Sequence, residues 1–173
     1  MRSVEISKAW LLLVLALLPL WGSAASLPEG FEGLPWEAPV AQLPNAQKLA
    51  ETVAYQCYRK GDGSGTLGTV VLSNQRLCFS QDRFYFAQME FAGQSGYEAL
   101  LAHAQSLWGE GRAGQRFTET RVWGGGEDKV YVELEYSKLD ERGTLVFVYL
   151  PIYKESQDAS RQQRARARPG AGF

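Results

Sequence analysis

The stretch Gln75–Gly109 constrains the fold more than any other part of this chain. In its second half Tyr97, Leu100, Leu101, Ala104, Leu107 and Trp108 recur at helical spacing, which makes one apolar stripe of period 3.6. Ser95 followed by Glu98 has the form of a capping box, and Gly109 stands where a left-handed C-terminal cap is wanted. The spacing predicts a helix over 95–108. In its first half, Arg83 to Phe91 alternates, with Tyr85, Ala87, Met89 and Phe91 on one face and Phe84, Phe86, Gln88 and Glu90 on the other. Both faces are apolar at the start and only one at the end, as expected of a central strand covered on both sides over its first half. Gln81-Asp82 reads as a tight turn back to a strand over 75–80. A short helix with one apolar stripe must bury it, and the flanking strands are the nearest partner.

The chain has 173 residues, enough for one domain with a real core. Residues 1–25 read as a cleaved signal peptide: Arg2 and Lys8, an apolar run from Ala9 to Trp21, then Gly22-Ser23-Ala24-Ala25. The run is shorter than the roughly 20 residues that span a bilayer. The mature chain is expected to begin near Ala25 or Ser26, with no transmembrane segment, in a periplasmic or secreted location. From Ser26 to Ser160 there are 12 Lys or Arg against 18 Asp or Glu, and from Arg161 onward four Arg and no acid. An acidic body of that kind does not suit a nucleic-acid partner.

After the leader, 26–44 is a Pro-rich N-terminal arm whose apolar points are Phe31, Leu34 and Trp36. Docked, these aromatics cover the edge of the core; exposed, Phe31 and Trp36 form an interaction segment. Residues 45–153 are read as a single domain. Ala46–Glu51 has helix-forming composition and leads into strand-like Val53–Tyr58. Gly61–Gly68 is a glycine-rich loop, and Thr69–Leu72 is a short strand. Beyond the helix, strands are expected over 116–123, 129–136 and 143–150. The second of these alternates Val130, Val132, Leu134 and Tyr136 inward with Tyr131, Glu133 and Glu135 outward. Residues 154–173 read as a disordered Arg-rich tail, with an electrostatic tether to anionic lipid or to the acidic body as its functional alternative. The fold class expected is α+β: an antiparallel sheet with one main amphipathic helix (95–108) on one face, in the order β-β-β-β-α-β-β-β.

Phe31-Glu32-Gly33-Leu34-Pro35-Trp36, Arg59-Lys60-Gly61-Asp62, Leu77-Cys78-Phe79-Ser80-Gln81-Asp82-Arg83-Phe84-Tyr85, Val122-Trp123-Gly124-Gly125-Gly126 and Gly143–Ile152 together resemble a group of small exported bacterial proteins. The resemblance spans Phe31 to Ile152 and departs at Glu37, where the pattern has Gly, and at Cys78. Its landmarks are aromatic and glycine residues, so it implies a fold and an exported compartment but no activity.

Catalytic sets are missing from the pattern of residues. Gly63–Gly68 matches G-x-G-x-x-G, but strand-like residues follow it rather than the helix whose N-terminus would hold phosphate. Asp62, Ser64 and Thr66 hint at a calcium loop that lacks its Gly and its closing Glu. The only His, His103, sits on a helix flank with no nucleophile elbow, and one His with two Cys lacks paired zinc-ligand spacing. No catalytic residue, cofactor or metal is therefore assigned. The reading that follows is a non-enzymatic exported domain that binds another envelope protein. The alternative is a binder of a small apolar or aromatic ligand between helix and sheet, lined by Trp108, Trp123 or Tyr85. An unrecognised hydrolase built on His103 and two carboxylates is a third reading. Cys57 and Cys78 are expected to form a disulfide, because an exported compartment is oxidising and only one pairing exists. The oligomeric state is left open.

Overall fold

The hairpin expected at the centre is present. In the computed structural model, which describes residues 26–52, 54–114 and 118–166, β6 (Val70–Ser80) turns through Gln81 and Asp82 into β7 (Arg83–Ala92). Both turn residues have positive φ, 50° and 60°, the geometry that matches the right-handed twist of the two strands. The short strand expected at 69–72 and the strand at 75–80 are one continuous element.

Ahead of this hairpin lie β1 (Gly30–Phe31), β2 (Leu34–Pro35), a 3-10 turn at Val40–Gln42, β3 (Ala46–Glu51), β4 (Gln56–Lys60) and β5 (Gly65–Leu67). After it come α1 (Gln94–Trp108), β8 (Arg112–Ala113), β9 (Glu119–Gly124), β10 (Val130–Ser137), β11 (Arg142–Tyr149) and α2 (Leu150–Arg166). Among the described residues the main sheet has nine strands, in the order β3-β4-β6-β7-β11-β10-β9-β8, with β5 paired to β6. Its pairings are antiparallel. The class is α+β, as expected, but the element order is longer and there are two helices rather than one.

One face of the sheet carries the main core. Ala87, Met89 and Phe91 of β7, Val132 and Leu134 of β10, and Leu145 and Phe147 of β11 pack beneath Tyr97, Leu100 and Ala104 of α1. The inward alternation of Val130, Val132, Leu134 and Tyr136 is as the sequence predicts. Of the predicted helical stripe, Leu107 is exposed. The Ser95/Glu98 capping box does not form: Gly93, at φ 78°, is the N-cap, and Glu98 accepts from Gln94 Nε2 instead (3.1 Å).

Two bulges displace the predicted faces. The register passes from Cys78↔Phe86 to Phe79↔Phe84, so Tyr85 is an extra residue on β7. Phe84 therefore joins the main core with Ala87 and Met89, whereas Tyr85 turns to the other face. The second shift, between Ser73 and Arg76, contains Asn74 at φ 51°, a conformation that Asn tolerates. It turns Gln75 inward, where it is 2% exposed. Gln75 accepts from the Lys60 N–H (3.0 Å) and donates through Nε2 to Glu32 (3.0 Å), while its own N–H donates to Gly63 O (2.9 Å). A buried amide with its partners in place fixes the strand, the loop and the arm together.

Two further expectations are corrected. Ala46–Glu51, helix-forming by composition, is a strand paired with β4 and exposed at every residue; the ladder partner overrides propensity. The tail expected to be disordered from 154 is helical to Arg166, because Ile152 is buried and Ser156 sits beneath the helix. Ile152 packs with Cys57, Cys78 and Tyr85 in a second cluster on the opposite face of the sheet. Residues 1–25, expected to be a leader, and the chain end at 167–173 lie outside the described residues, and no helix among those described is long and apolar enough to cross a membrane.

Candidate functional site

The residues singled out in the sequence fall in four separate places. Phe31 and Trp36 are held by the core. Phe31 is buried against Phe147, ring centroids 5.1 Å apart, and Trp36 is half-buried, stacked on Phe84 at 5.0 Å and Tyr149 at 6.0 Å. The Trp36 indole N–H donates to Pro28 O (2.7 Å). Across the arm, Glu37 and Ala38 exchange backbone hydrogen bonds with Phe84, and the Val40 N–H donates to Asp82 Oδ1 (2.9 Å). The arm is thus a docked part of the core, and Phe31 has no surface to offer a partner.

Cys57 and Cys78 face each other across β4 and β6 and are bonded, with Cα atoms 4.0 Å apart. The bond is covered by Ile152 and Tyr85. Tyr85 therefore lies on the far side of the sheet from Trp108 and Trp123, and burial raises its hydroxyl pKa above the ordinary value. His103 is half-buried on α1 beside Gly68 at the end of the glycine-rich loop. Among the described residues it makes no ion pair, and no three His, Cys, Asp or Glu side chains come together as a metal-holding group.

Trp108 and Trp123 do come together. Trp108 ends α1, and Trp123 points inward from β9 opposite Val132. Their rings meet edge to face at 5.8 Å, and Trp108 also meets Phe147 edge to face at 6.0 Å. The Trp123 indole N–H donates to Gly109 O (2.7 Å), so the residue that stops the helix also anchors the second indole. Gly111, at φ 67°, lies against Trp123, and a Cβ there would fall 2.7 Å from the indole. Only glycine lets the chain pass so close.

The space between helix and sheet is filled: Met89, Leu100, Val132, Leu134 and Leu145 are at most 1% exposed. The opening lies instead past the C-terminal end of α1. It is a groove of about 700 Å³, open to solvent, floored by Leu27, Trp108, Trp123, Val122 and Val130. Arg112, Asp128 and Lys129 stand on its rim. Arg112 Nη2 donates to Gly124 O (2.7 Å), which fixes the guanidinium on the β9–β10 turn. Gly124, Gly125 and Gly126 all have positive φ and bring that turn to the groove without side chains. The pairing of Trp108 with Trp123 was legible in the sequence as two candidate residues. Leu27, Gly111, Arg112 and Lys129 were not, since no motif links them.

No family model matches the chain, and no curated protein or solved structure matches it.

Proposed function

We propose that this chain is an exported, non-catalytic binding domain that takes an extended segment of another envelope protein into the Trp108–Trp123 groove. The observation that carries this reading is the groove itself: an aromatic and aliphatic floor under a charged rim, open along one side. Small-molecule sites enclose most of their ligand, whereas an apolar centre with a polar, solvated rim is the anatomy of a protein interface. The exported compartment is supported by the leader-like residues 1–25 and by the disulfide.

A photo-crosslinking residue placed at Lys129, with exposed Leu139 as the control position, tests it in intact cells. A discrete protein adduct from position 129 alone is expected; equal labelling from both positions, or none, sinks the reading. The second reading, a small aromatic ligand in the same groove, is favoured by the volume and the paired indoles. It predicts that a small molecule co-purifies with the chain and is lost from a Trp108→Ala variant.

A further inference from the structure

We infer that the groove recognises the free C-terminal carboxylate of a polypeptide that ends in an apolar residue. This rests on the groove reading above and names the chemistry of what binds there.

Charge is the first argument. The body carries 12 cationic against 18 acidic side chains from Ser26 to Ser160, yet the rim of this one aromatic opening has two cations, Arg112 and Lys129, against Asp128. Neither cation is in an ion pair among the described residues, where the paired ones are Lys48, Arg83, Lys138 and Arg161. An acidic protein that collects two unpaired cations at its apolar groove is arranged for an anion.

Geometry is the second. The bond from Arg112 to Gly124 O uses one edge of the guanidinium and leaves its other N–H donors for a ligand. A guanidinium whose plane is already fixed loses little freedom on accepting a carboxylate in the bidentate manner. The glycine turn Gly124–Gly126, all at positive φ, presents bare backbone beside it.

The shape of the ligand follows from both. The floor requires an apolar side chain and the rim requires a carboxylate close by. In an extended chain, successive side chains point to opposite faces. An acidic residue next to an apolar one therefore points away from the groove, and one two positions along, which shares the face, sets its carboxylate about 7 Å further along the chain. A C-terminal Phe, Leu or Val carries both on a single Cα, and capture of chain ends by fixed donors is a recurrent mode of recognition. A fatty acid shares this chemistry, but it would need an enclosed channel for its tail, and this groove is open.

The experiment uses the mature full chain, residues 26–173, and fluorescein-labelled pentapeptides that end in Phe, Leu or Val. Each peptide is made as the free acid and as the C-terminal amide, with decanoate as competitor. Fluorescence polarisation should show the acids binding about tenfold or more tightly than the amides, as expected for a charge-assisted pair. Arg112→Gln and Lys129→Gln should each remove most of that acid-over-amide difference, with melting temperature as the folding control; a difference unchanged in both variants overturns the inference. Equal binding of acid and amide overturns the carboxylate inference while leaving the groove reading intact. Failure of all the peptides overturns both, and binding of decanoate alone replaces the peptide with a lipid-derived acid.

Discussion

Reducing the Cys57–Cys78 bond should destabilise the folded protein by about 3 kcal/mol, and the damage should begin in one hairpin. The bond closes a loop with a sequence separation of 21. The chain-entropy relation for a loop of that length gives about 11 cal/mol/K lost from the unfolded chain, or about 3 kcal/mol at 25 °C. For a domain of this size that corresponds to a fall of about 10 °C in melting temperature. The structure also says where the loss appears first. Beside the disulfide, β4 joins the sheet through a register of three pairs, Gln56↔Phe79, Cys57↔Cys78 and Tyr58↔Leu77. On its other side β4 has only β3, which is exposed along its whole length. Without the bond, amides from 46 to 60 should exchange faster at reductant concentrations where those of β7, β10 and β11 remain protected. Calorimetry and hydrogen exchange with and without reductant measure both effects. Reduction keeps the two sulfurs in place, so it isolates the crosslink; a Cys57→Ala/Cys78→Ala variant should lose more, because it also empties buried volume. A loss below about 1 kcal/mol would refute the argument that this loop is otherwise open in the unfolded chain. Unchanged protection of 46–60 would refute the claim that the bond is what holds the hairpin.

Gln75→Ala should cost about 2–3 kcal/mol in chemical denaturation, since it leaves the Lys60 N–H without its buried acceptor. Gly111→Ala should disturb the groove before it disturbs the fold, because its Cβ meets Trp123 at a positive φ; near-UV circular dichroism should change in the indole bands, and an unchanged spectrum would show that the loop moves freely. Removal of residues 161–173 should leave the melting temperature within about 1 °C of the parent, as the residues described there are exposed surface, whereas removal from Ile152 onward uncovers the disulfide cluster and should lower it by several degrees. The Glu119–Lys138 pair lowers the Glu119 pKa, the hydrogen bond from Lys138 being the largest cause. A carboxyl with a depressed folded pKa contributes stability that is present above its unfolded value and lost as the pH falls through the folded one. Lys138→Ala should therefore flatten the acid limb of the stability curve below the ordinary glutamate range, while a limb identical to the parent's would show that the pair is idle.

The elements legible in the sequence are those with one partner and one face. Val130 to Tyr136 could be read residue by residue, because β10 is buried on one side and half-exposed on the other. The Gln81-Asp82 turn was legible from its tightness alone. The faces of β7 were not, and the cause is a single extra residue: with period-2 alternation, one inserted residue exchanges the faces of what precedes it. Tyr85 and Phe84 look equivalent in the sequence, and the bulge decides which of them meets α1 and which meets the disulfide. The groove was illegible for a different reason. Its parts come from residue 27, the end of α1, the start of β8 and the β9–β10 turn, and they share a surface only once the sheet has formed.

The second helix shows what hydrophobic periodicity misses. Its inward positions are Ile152, Ser156 and, half-buried, Ser160, a stripe at i, i+4 and i+8 in which two of the three residues are serine. No apolar moment marks it, and an Arg- and Gln-rich segment reads by composition as unstructured. Yet serine is what the site accepts. Ser156 is 2% exposed and its hydroxyl donates back to Tyr153 O (2.8 Å), and a larger residue there would lift the helix from the sheet. Pro151 in the first turn was the remaining signal. Its fixed φ suits a helix start, where the missing N–H costs nothing. A proline one residue past the end of a central strand, followed by one buried isoleucine, is a reason to expect a helix that folds back over the sheet, and here it shields the disulfide.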